Sequence, residues 1–336
     1  MSIYFFETNA QEREYIEQQL PDQDVRFFEY PLTTAKQARE IASDCEVLSV
    51  FVHSHLGPDV LDELTNLKMI ATRSTGFDHI NLPAVESRAV PVSNVPTYGE
   101  NTVAEHTFAL ILSLSRNLHK AYARATGGDF SVSGLQGFDL KGRTIGVVGT
   151  GHIGLHVIRI AKGFGMDVIA TDPQRNVDAA EVLGFTYTSL NELLAKSDIV
   201  TLHAPLTDTT KHMIDEKNLK LMKRGAVLIN TARGGLVDTC ALLQALDDGT
   251  LSGAGLDVLE GEEIISEEKQ LLRSANASQG DLRLALVNRE ILRRTDLIVT
   301  PHIAFDSREA VERILDTTVG NVKAFLAGTP ENLVHT

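Results

Sequence analysis

Cysteine is scarce in this chain. Of its 336 residues only Cys45 and Cys240 are cysteines, and neither stands in a CxxC or His–Cys spacing. This scarcity argues against a disulfide framework and a zinc site, so we expect both thiols to be small buried apolar side chains. No stretch approaches the ~20 apolar residues of a membrane span, and the start lacks the basic segment of a secretory signal. We therefore expect a soluble, cytoplasmic protein without a membrane partner.

Positive charge is also sparse. The chain has 31 Lys and Arg against 45 Asp and Glu, which gives a formal net charge of −14, and no dense Lys/Arg cluster overrides this average. Nucleic acid is a polyanion and is therefore not an expected partner. The hydrophobic content of 43% is sufficient for full cores, and a length of 336 residues favours two domains.

A glycine-rich run lies between an apolar strand-like segment, residues 144–148, and a helical stretch. It reads Gly149-Thr150-Gly151-His152-Ile153-Gly154, in the strand, turn and helix order that a dinucleotide-binding loop requires. Gly149 permits the tight turn, Gly151 lets the backbone approach a diphosphate, and Gly154 lets the helix pack closely on the sheet. Asp172 ends the next strand-like run, where its carboxylate can accept from ribose hydroxyls and would repel a 2′-phosphate. The run therefore predicts NAD as the cofactor.

Strand-like and helical stretches alternate along most of the chain. This alternation predicts an α/β fold of two doubly wound parallel-sheet domains: a flavodoxin-like substrate domain, residues 1–99 and 301–336, and an inserted Rossmann-type NAD domain, residues 100–300. A long helix is expected from Thr102 to about His119, opened by a capping box at Thr102–Glu105. A last helix, from Ser307 to about Leu326, is expected to pack back on the first domain. The charged stretch 263–296 suggests helices on the surface or over the cleft.

Three more segments follow the glycine run, each at the carboxyl end of a strand-like run, where doubly wound sheets bind ligands. They are Asn230–Gly235, Asp257–Glu262 and Thr300–Phe305. With the glycine run, Arg73–Asp78 and Val103–His106, they make the chain similar, over nearly its whole length, to the D-isomer-specific 2-hydroxyacid dehydrogenase family. Residues 116–122 and Thr300–Phe305 look most like its D-lactate dehydrogenase branch. The resemblance implies hydride transfer between NADH and a small 2-oxo acid in a homodimer formed through the NAD domain.

The resemblance also implies the residues of the site. The catalytic residues are expected to be Arg233, Glu262 and His302, without a metal. Cofactor contacts are expected from Gly149, Gly151, His152, Ile153, Gly154, Asp172, His203, Pro205, Thr231, Arg233 and Asp257, the last beside the nicotinamide carboxamide. Substrate contacts are expected from Thr75 and Gly76 through their backbone N–H groups, and from Tyr98, Arg233 and Phe305.

The chemistry of the reaction requires these residue types. Reduction places hydride on the carbonyl carbon while the oxygen takes a proton, and histidine is the side chain that most readily supplies a proton near neutral pH. A carboxylate beside it, here Glu262, favours the imidazolium form. Arginine offers a bidentate fork for the substrate carboxylate. Glu260 is the alternative partner of the histidine, because the choice of Glu262 rests on spacing in the family.

The substrate and the function each have an alternative. Pyruvate is the leading substrate, but Leu259 and the segment Phe51–His55 depart from the family pattern, so hydroxypyruvate, glyoxylate or another 2-oxo acid stays open. An NAD(H)-sensing binding protein similar to the corepressors of this family is the rival function, which the absence of a nuclear-type basic cluster disfavours. His53 and His55 form a His-x-His pair without a recognisable third metal ligand, and a strand-end position is expected instead.

Overall fold

The computed structural model describes residues 1–262 and 279–334, which divide into two compact units. The first unit is Met1–Tyr98 with Ser307–Thr336, and the second is Gly99–Asp306. The chain thus leaves the first unit once and returns to it once. The second boundary lies between Asp306 and Ser307, a few residues later than the boundary expected from the sequence, so His302 and Phe305 belong to the second unit.

The first unit is built on a five-stranded parallel sheet in the order β2-β1-β3-β4-β5. This is the flavodoxin-like strand order. Its strands are β1 (Ser2–Phe5), β2 (Asp24–Phe27), β3 (Val47–Val50), β4 (Met69–Thr72) and β5 (Val92–Ser93), and its helices are α1 (Ala10–Gln19), α2 (Ala35–Ile41), α3 (Pro58–Glu63), α4 (Leu82–Glu86) and the last helix, α13 (Arg308–Leu326).

Apolar side chains cover both faces of this sheet. All residues of β3 and β4 are buried, as expected of central strands in a parallel sheet with helices on both sides. On one face Ile3 and Phe5 pack with Leu315 and Val319 of α13. The last helix therefore completes the core of the first unit, as the sequence predicts.

The second unit is built on a seven-stranded parallel sheet in the order β12-β11-β10-β9-β6-β7-β8. The order reverses at β6, as in the Rossmann fold, so ligands are expected at the carboxyl ends of β6 and β9. The strands are β6 (Thr144–Val148), β7 (Asp167–Thr171), β8 (Thr186–Tyr187), β9 (Ile199–Leu202), β10 (Ala226–Asn230), β11 (Leu251–Leu256) and β12 (Leu297–Val299). The helices are α5 (Glu100–Ser115), α6 (Leu118–Thr126), α7 (His152–Gly163), α8 (Val177–Leu183), α9 (Leu190–Lys196), α10 (Glu216–Leu219), α11 (Thr239–Asp247) and α12 (Gln279–Ile291).

The long helix expected from Thr102 to about His119 is divided in two. The helix α5 already begins at Glu100 after an N-cap at Gly99, so Thr102 lies inside it and the predicted capping box is wrong. It ends at Ser115 because Asn117 takes a left-handed conformation, φ 49°, which asparagine tolerates better than most residues. A new helix, α6, then starts at Leu118.

Two smaller expectations have mixed outcomes. Cys45 is buried as expected, whereas Cys240 is only partly buried. Part of the charged stretch 263–296 is helical, namely α12, and residues 263–278 lie outside the described residues. Among the described residues, no helix combines the length and apolar character needed to cross a membrane.

Candidate active site

The glycine run joins β6 to α7, and its three glycines meet different surroundings. Gly149 has φ 94°, and a Cβ there would lie 2.5 Å from the carbonyl oxygen of His203. A Cβ at Gly154 would lie 2.1 Å from the carbonyl oxygen of Gly149, whereas a Cβ at Gly151 would meet no atom within 4 Å. Gly149 and Gly154 are therefore required by the packing of the protein itself. Gly151 instead leaves open the space at the start of α7, which is where a diphosphate binds.

Asp172 fixes the same loop from the end of β7. Its Oδ2 accepts from the N–H of Thr150 at 2.6 Å, and its Oδ1 accepts from the N–H of Gln174 at 2.7 Å. The Thr150 hydroxyl also lies 2.8 Å from the hydroxyl of Tyr187. The carboxylate is half-buried, so it keeps contact with solvent at the edge where ribose hydroxyls are expected. The loop, the helix start and this acid together fit a bound dinucleotide.

The other predicted cofactor residues occupy the same edge of the sheet. His152 is the first residue of α7, with 73% of its side chain exposed and Nδ1 3.8 Å from Glu100. His203 follows β9, and its Nε2 lies 2.9 Å from the hydroxyl of Thr201. Burial lowers the pKa of His203 to about 3, so this imidazole is neutral at physiological pH. Pro205 is exposed, and Thr231 follows β10, where its hydroxyl lies 3.0 Å from that of Thr107.

The three predicted catalytic residues follow neighbouring strands of the second unit. Arg233 comes after β10, Glu262 after β11 and His302 after β12. The Nδ1 of His302 lies 2.9 Å from Oε1 of Glu262, with 18% and 32% of the two side chains exposed. A Cβ at Gly234 would lie 2.1 Å from the carbonyl carbon of Leu259, so glycine is what lets the Arg233 turn abut the segment that leads to Glu262.

The two candidate glutamates have different partners. Oε1 of Glu260 lies 2.6 Å from Nε2 of His212, and its Oε2 accepts from the hydroxyl of Thr239 at 3.2 Å. Glu260 therefore stabilises the start of α11, away from His302. Of the two, Glu262 is the carboxylate in contact with His302.

Asp257 organises the turn that carries His302. The N–H of His302 donates to the carbonyl oxygen of Asp257 at 2.8 Å, and the N–H groups of Ile303 and Ala304 donate to its carboxylate at 3.0 and 2.9 Å. His302 itself has φ 54°, a left-handed conformation that is unfavourable for residues other than glycine. Asp257 is only 1% exposed. Its backbone and side chain thus hold His302 in a conformation that the isolated turn would not favour.

Burial and hydrogen bonding act in opposite directions on Asp257. Burial raises the pKa of its carboxyl group, but hydrogen bonds from His106, Thr300, Ala304 and Ile303 outweigh burial and hold the pKa below its ordinary value. The carboxylate is therefore ionised at physiological pH. Sequence reasoning singled out Asp257 only through family resemblance, and it gave no role to His106.

Residues expected to contact the substrate from the first unit follow β4 and β5. Thr75 donates its hydroxyl to the carbonyl oxygen of Val95 at 2.7 Å, and Tyr98 accepts at its carbonyl oxygen from Arg313. The hydrogen bonds within the described residues include none from the backbone N–H of Thr75 or Gly76. Two adjacent N–H groups are thus left for an anion at the carboxyl edge of this sheet.

The loop after β3 departs from the family pattern and has its own support. The carboxylate of Glu7 accepts from the N–H groups of Phe51, His53 and Ser54 at 3.0, 2.9 and 3.1 Å. His53 and His55 are exposed, at a strand end as expected. Across residues 1–262 and 279–334 no three metal-binding side chains cluster, so no metal site is found there.

Arg73 is a buried cation that the sequence did not single out as such. It is 2% exposed and donates to the carbonyl oxygens of Phe6 and Glu7, both at 2.7 Å, and to the hydroxyl of Ser49 at 3.2 Å. Burial lowers the pKa of its guanidinium group. Its donors bind the backbone that leads into Glu7.

Known proteins resemble this chain over its whole length. Residues 108–304 match the family model described as D-isomer specific 2-hydroxyacid dehydrogenase, NAD binding domain. A 2-hydroxyacid dehydrogenase homolog of Haemophilus influenzae is 37% identical, with 99% of each chain covered. D-lactate dehydrogenase of Escherichia coli is 35% identical, with 99% of this chain and 100% of the relative covered.

Solved structures show the same likeness. The crystal structure of D-lactate dehydrogenase from Aquifex aeolicus, complexed with NAD and lactic acid, superposes with a TM-score of 0.87. It is 38% identical and covers 97% of this chain and 96% of its own. The agreement extends over both parallel sheets, so both the sequence and the fold relate the chain to these enzymes.

Proposed function

Because the chain belongs to the D-isomer specific 2-hydroxyacid dehydrogenase family, and is thus an NAD-dependent oxidoreductase, we propose that it reduces pyruvate to D-lactate. The observation that supports this chemistry best is the contact of 2.9 Å between His302 and Glu262 beside the Arg233 turn. Relatives named D-lactate dehydrogenase favour pyruvate among the possible 2-oxo acids.

We assign the proton transfer to His302. Its Nδ1 faces Glu262, which leaves Nε2 for the substrate oxygen. The carboxylate of Glu262 accepts from Nδ1 and so orients the ring, and His302 acts as the general acid of the reduction. Arg233 binds the substrate carboxylate through its guanidinium fork and helps to polarise the carbonyl group. When bound, the nicotinamide supplies the hydride.

The first unit contributes further contacts in this proposal. The unpaired N–H groups of Thr75 and Gly76 are donors of the kind that bind a carboxylate. We assign Tyr98 and Phe305 to the alkyl end of the substrate, because both are aromatic and both are expected there from the family resemblance. Each extra methylene packed on apolar side chains changes discrimination by about 1–3 kcal/mol, so we expect several 2-oxo acids to be reduced.

Phosphorylated substrates are disfavoured by charge. Apart from Arg233, the segments proposed to contact the substrate contain no cluster of Lys or Arg that could neutralise a phosphate dianion: they are residues 51–56, 75–77 and 98–99, and Phe305. Arg73, which precedes one of these segments, is buried, and its guanidinium donates to backbone carbonyl groups. Small or medium uncharged side chains therefore fit best, with hydroxypyruvate and glyoxylate as the alternatives to pyruvate.

The decisive experiment is a substrate panel. We would measure kcat/KM with NADH for pyruvate, 2-oxobutyrate, phenylpyruvate, hydroxypyruvate, glyoxylate and phosphohydroxypyruvate, and determine the chirality of the product. Pyruvate should rank first and give D-lactate. A preference for phosphohydroxypyruvate or an L-configured product would overturn the proposal, and a preference for hydroxypyruvate would change only the substrate. Absence of turnover with the whole panel would favour an NAD(H)-sensing binding protein.

We assign the preference for NAD over NADP to Asp172. Its carboxylate would face a 2′-phosphate with like charge. Arg175 is the nearest counterweight in the sequence, but its guanidinium lies 5.8 Å over the ring of Tyr187. The variant D172S should narrow the ratio of kcat/KM for NADH over NADPH, while R175A should not narrow it. Equal efficiency of the wild type with both cofactors would refute the assignment.

We propose a homodimer formed through the second unit. Helix α6 contains no buried residue, although its apolar residues fall on one side. Leu118 and Tyr122 in this helix, and Phe130 and Val132 just after it, are 58%, 72%, 84% and 83% exposed. Large apolar side chains exposed along one segment are typical of an interface, and a second copy is the partner expected in this family.

We also propose, from the sequence, that the protein is located in the cytoplasm.

A further inference from the structure

We propose that His106 of α5 is a positioning residue for the reaction: by donating from Nε2 to Thr300 it holds Asp257 and thereby the turn that carries His302. The inference rests on the proposed role of His302 as proton donor. All of the groups involved lie in the second unit.

The geometry connects three elements. Nε2 of His106 lies 3.1 Å from the hydroxyl oxygen of Thr300 and 3.4 Å from Oδ1 of Asp257. The Thr300 hydroxyl lies 2.5 Å from the same Oδ1. His106 belongs to α5, Asp257 follows β11 and Thr300 follows β12. The imidazole thus joins the helix to the segments that follow the two strands, and His302 lies two residues after Thr300.

The direction of each hydrogen bond follows from the number of protons. Asp257 is ionised and can only accept, so the single proton of the Thr300 hydroxyl goes to Oδ1. The Thr300 oxygen is then an acceptor, and the group facing it, Nε2 of His106, must carry a proton. Nε2 of His106 therefore donates chiefly to Thr300 at 3.1 Å and more weakly to Asp257 at 3.4 Å, and Thr300 donates to Asp257.

The chain of hydrogen bonds ends at the catalytic turn. Asp257 receives the N–H groups of His302, Ile303 and Ala304, and His302 is in the left-handed region. A turn held in an unfavourable conformation depends on its external contacts. His106 is 19% exposed and sits behind this turn, on the side of Asp257. It touches none of the proposed reacting groups, so its effect must pass through Asp257 and Thr300.

The next residue of α5 has a parallel contact. The hydroxyl of Thr107 lies 3.0 Å from that of Thr231, in the turn that carries Arg233. Two successive residues of one helix thus contact the turns of two catalytic residues. Helix α5 is in this way a common support for the proton donor and for the carboxylate-binding arginine.

The test compares substitutions that remove or keep a donor. H106L should lower kcat for pyruvate by about tenfold to a hundredfold, because a small displacement of the proton donor is costly. The KM for pyruvate and the Kd for NADH should change by less than about threefold, since no binding group is removed. H106Q keeps an N–H of similar reach and should recover most of kcat.

A double variant checks the route of the effect. If His106 acts through Thr300, then H106L/T300V should be no slower than the slower single variant, because both substitutions break the same chain. The matched control is H119L, which removes another partly buried histidine that bonds the carbonyl oxygen of Thr295, before β12, at 3.0 Å. H119L should keep kcat within about twofold of the wild type.

Each outcome separates the two proposals. A wild-type kcat in H106L, or multiplicative losses in the double variant, would overturn the positioning role. If H106Q and H106L lose kcat equally, bind NADH more weakly and have a lower Tm, the positioning role is also overturned, and His106 is then purely structural. The role of His302 is tested separately by H302A. Retained turnover in that variant would overturn His302 as the proton donor, whereas the comparison of H106L with the wild type tests only the positioning role of His106.

Discussion

Glu260 and Glu262, which both follow β11, each pair with a histidine, and the difference between these two pairs can be tested at the level of single residues. His302 pairs with Glu262, and His212 pairs with Glu260. Only the first pair is proposed to act on the substrate. The second pair is closer, at 2.6 Å against 2.9 Å, but Glu260 also accepts from Thr239 at the start of α11, so this pair provides an internal control for the first.

We predict that E262A lowers kcat for pyruvate by about tenfold to a hundredfold, because the carboxylate that lies 2.9 Å from Nδ1 and holds the ring of His302 is removed. The loss is measured as kcat and KM for pyruvate at saturating NADH. E260A should keep kcat within about twofold of the wild type, since Glu260 contacts His212. A large loss in E260A with normal kcat in E262A would make Glu260 the partner of the proton donor.

We predict that D257N lowers the free energy of unfolding by about 1–3 kcal/mol at pH 7, because the amide cannot accept from all of the buried N–H and O–H groups. The pKa of Asp257 is lowered in the folded protein. Its ionised form therefore adds stability above the unfolded value of about 3.9, and this contribution is lost as pH falls through the folded pKa. The deficit of D257N, measured by denaturant unfolding, should be constant from neutral pH to about pH 5 and shrink below about pH 4. A deficit that does not change with pH would contradict this.

At the level of elements, the glycine run contains one residue that the fold requires and another that we expect only cofactor binding to require. Gly154 is required where α7 starts against the loop, since a Cβ there would lie 2.1 Å from a backbone oxygen. Gly151 is one turn earlier and faces open space. The same substitution should therefore have opposite consequences at the two positions.

We predict that G151A folds normally and binds NADH weakly, because its methyl group occupies the space for the diphosphate. G154A should lower the Tm of the protein without cofactor, since the helix must shift away from the loop. The loss of stability should be about 1–3 kcal/mol, the usual cost of overpacking. Thermal unfolding without NADH and titration with NADH measure the two effects. An unstable G151A with normal NADH affinity would show that the open space serves the fold.

At the scale of the whole molecule, the exposed apolar residues around α6 contrast with the net charge of −14. Charge of this size keeps copies apart unless a specific surface opposes it. We predict that Y122E/F130E converts a dimer into a monomer, since it places two carboxylates in a dry interface. Light scattering after size-exclusion chromatography measures the mass. A wild type that is already monomeric at micromolar concentration would refute the dimer, and R175A serves as a surface control.

The sequence alone determined the fold class and the cofactor. Strand and helix periodicity, glycines at fixed spacing and an acid after the next strand are local patterns, and they are physical requirements of a nucleotide-binding unit. The two parallel sheets and the NAD-binding family model confirm them. The same local rules failed at Thr102, where capping chemistry was present but the helix had already begun, and at Asn117, where one left-handed residue divided the helix.

The tertiary structure decided which side chains meet. Glu262 and His302 are 40 residues apart in sequence, and His106 and Thr300 are 194 apart. No local pattern distinguishes Glu262 from Glu260, because both follow the same strand within two residues of each other. Only the side-by-side order of β10, β11 and β12 brings the ends of distant segments together. Such contacts depend on the packing of the whole sheet, which is why the sequence predicted the parts of the site and only the fold determined their partners.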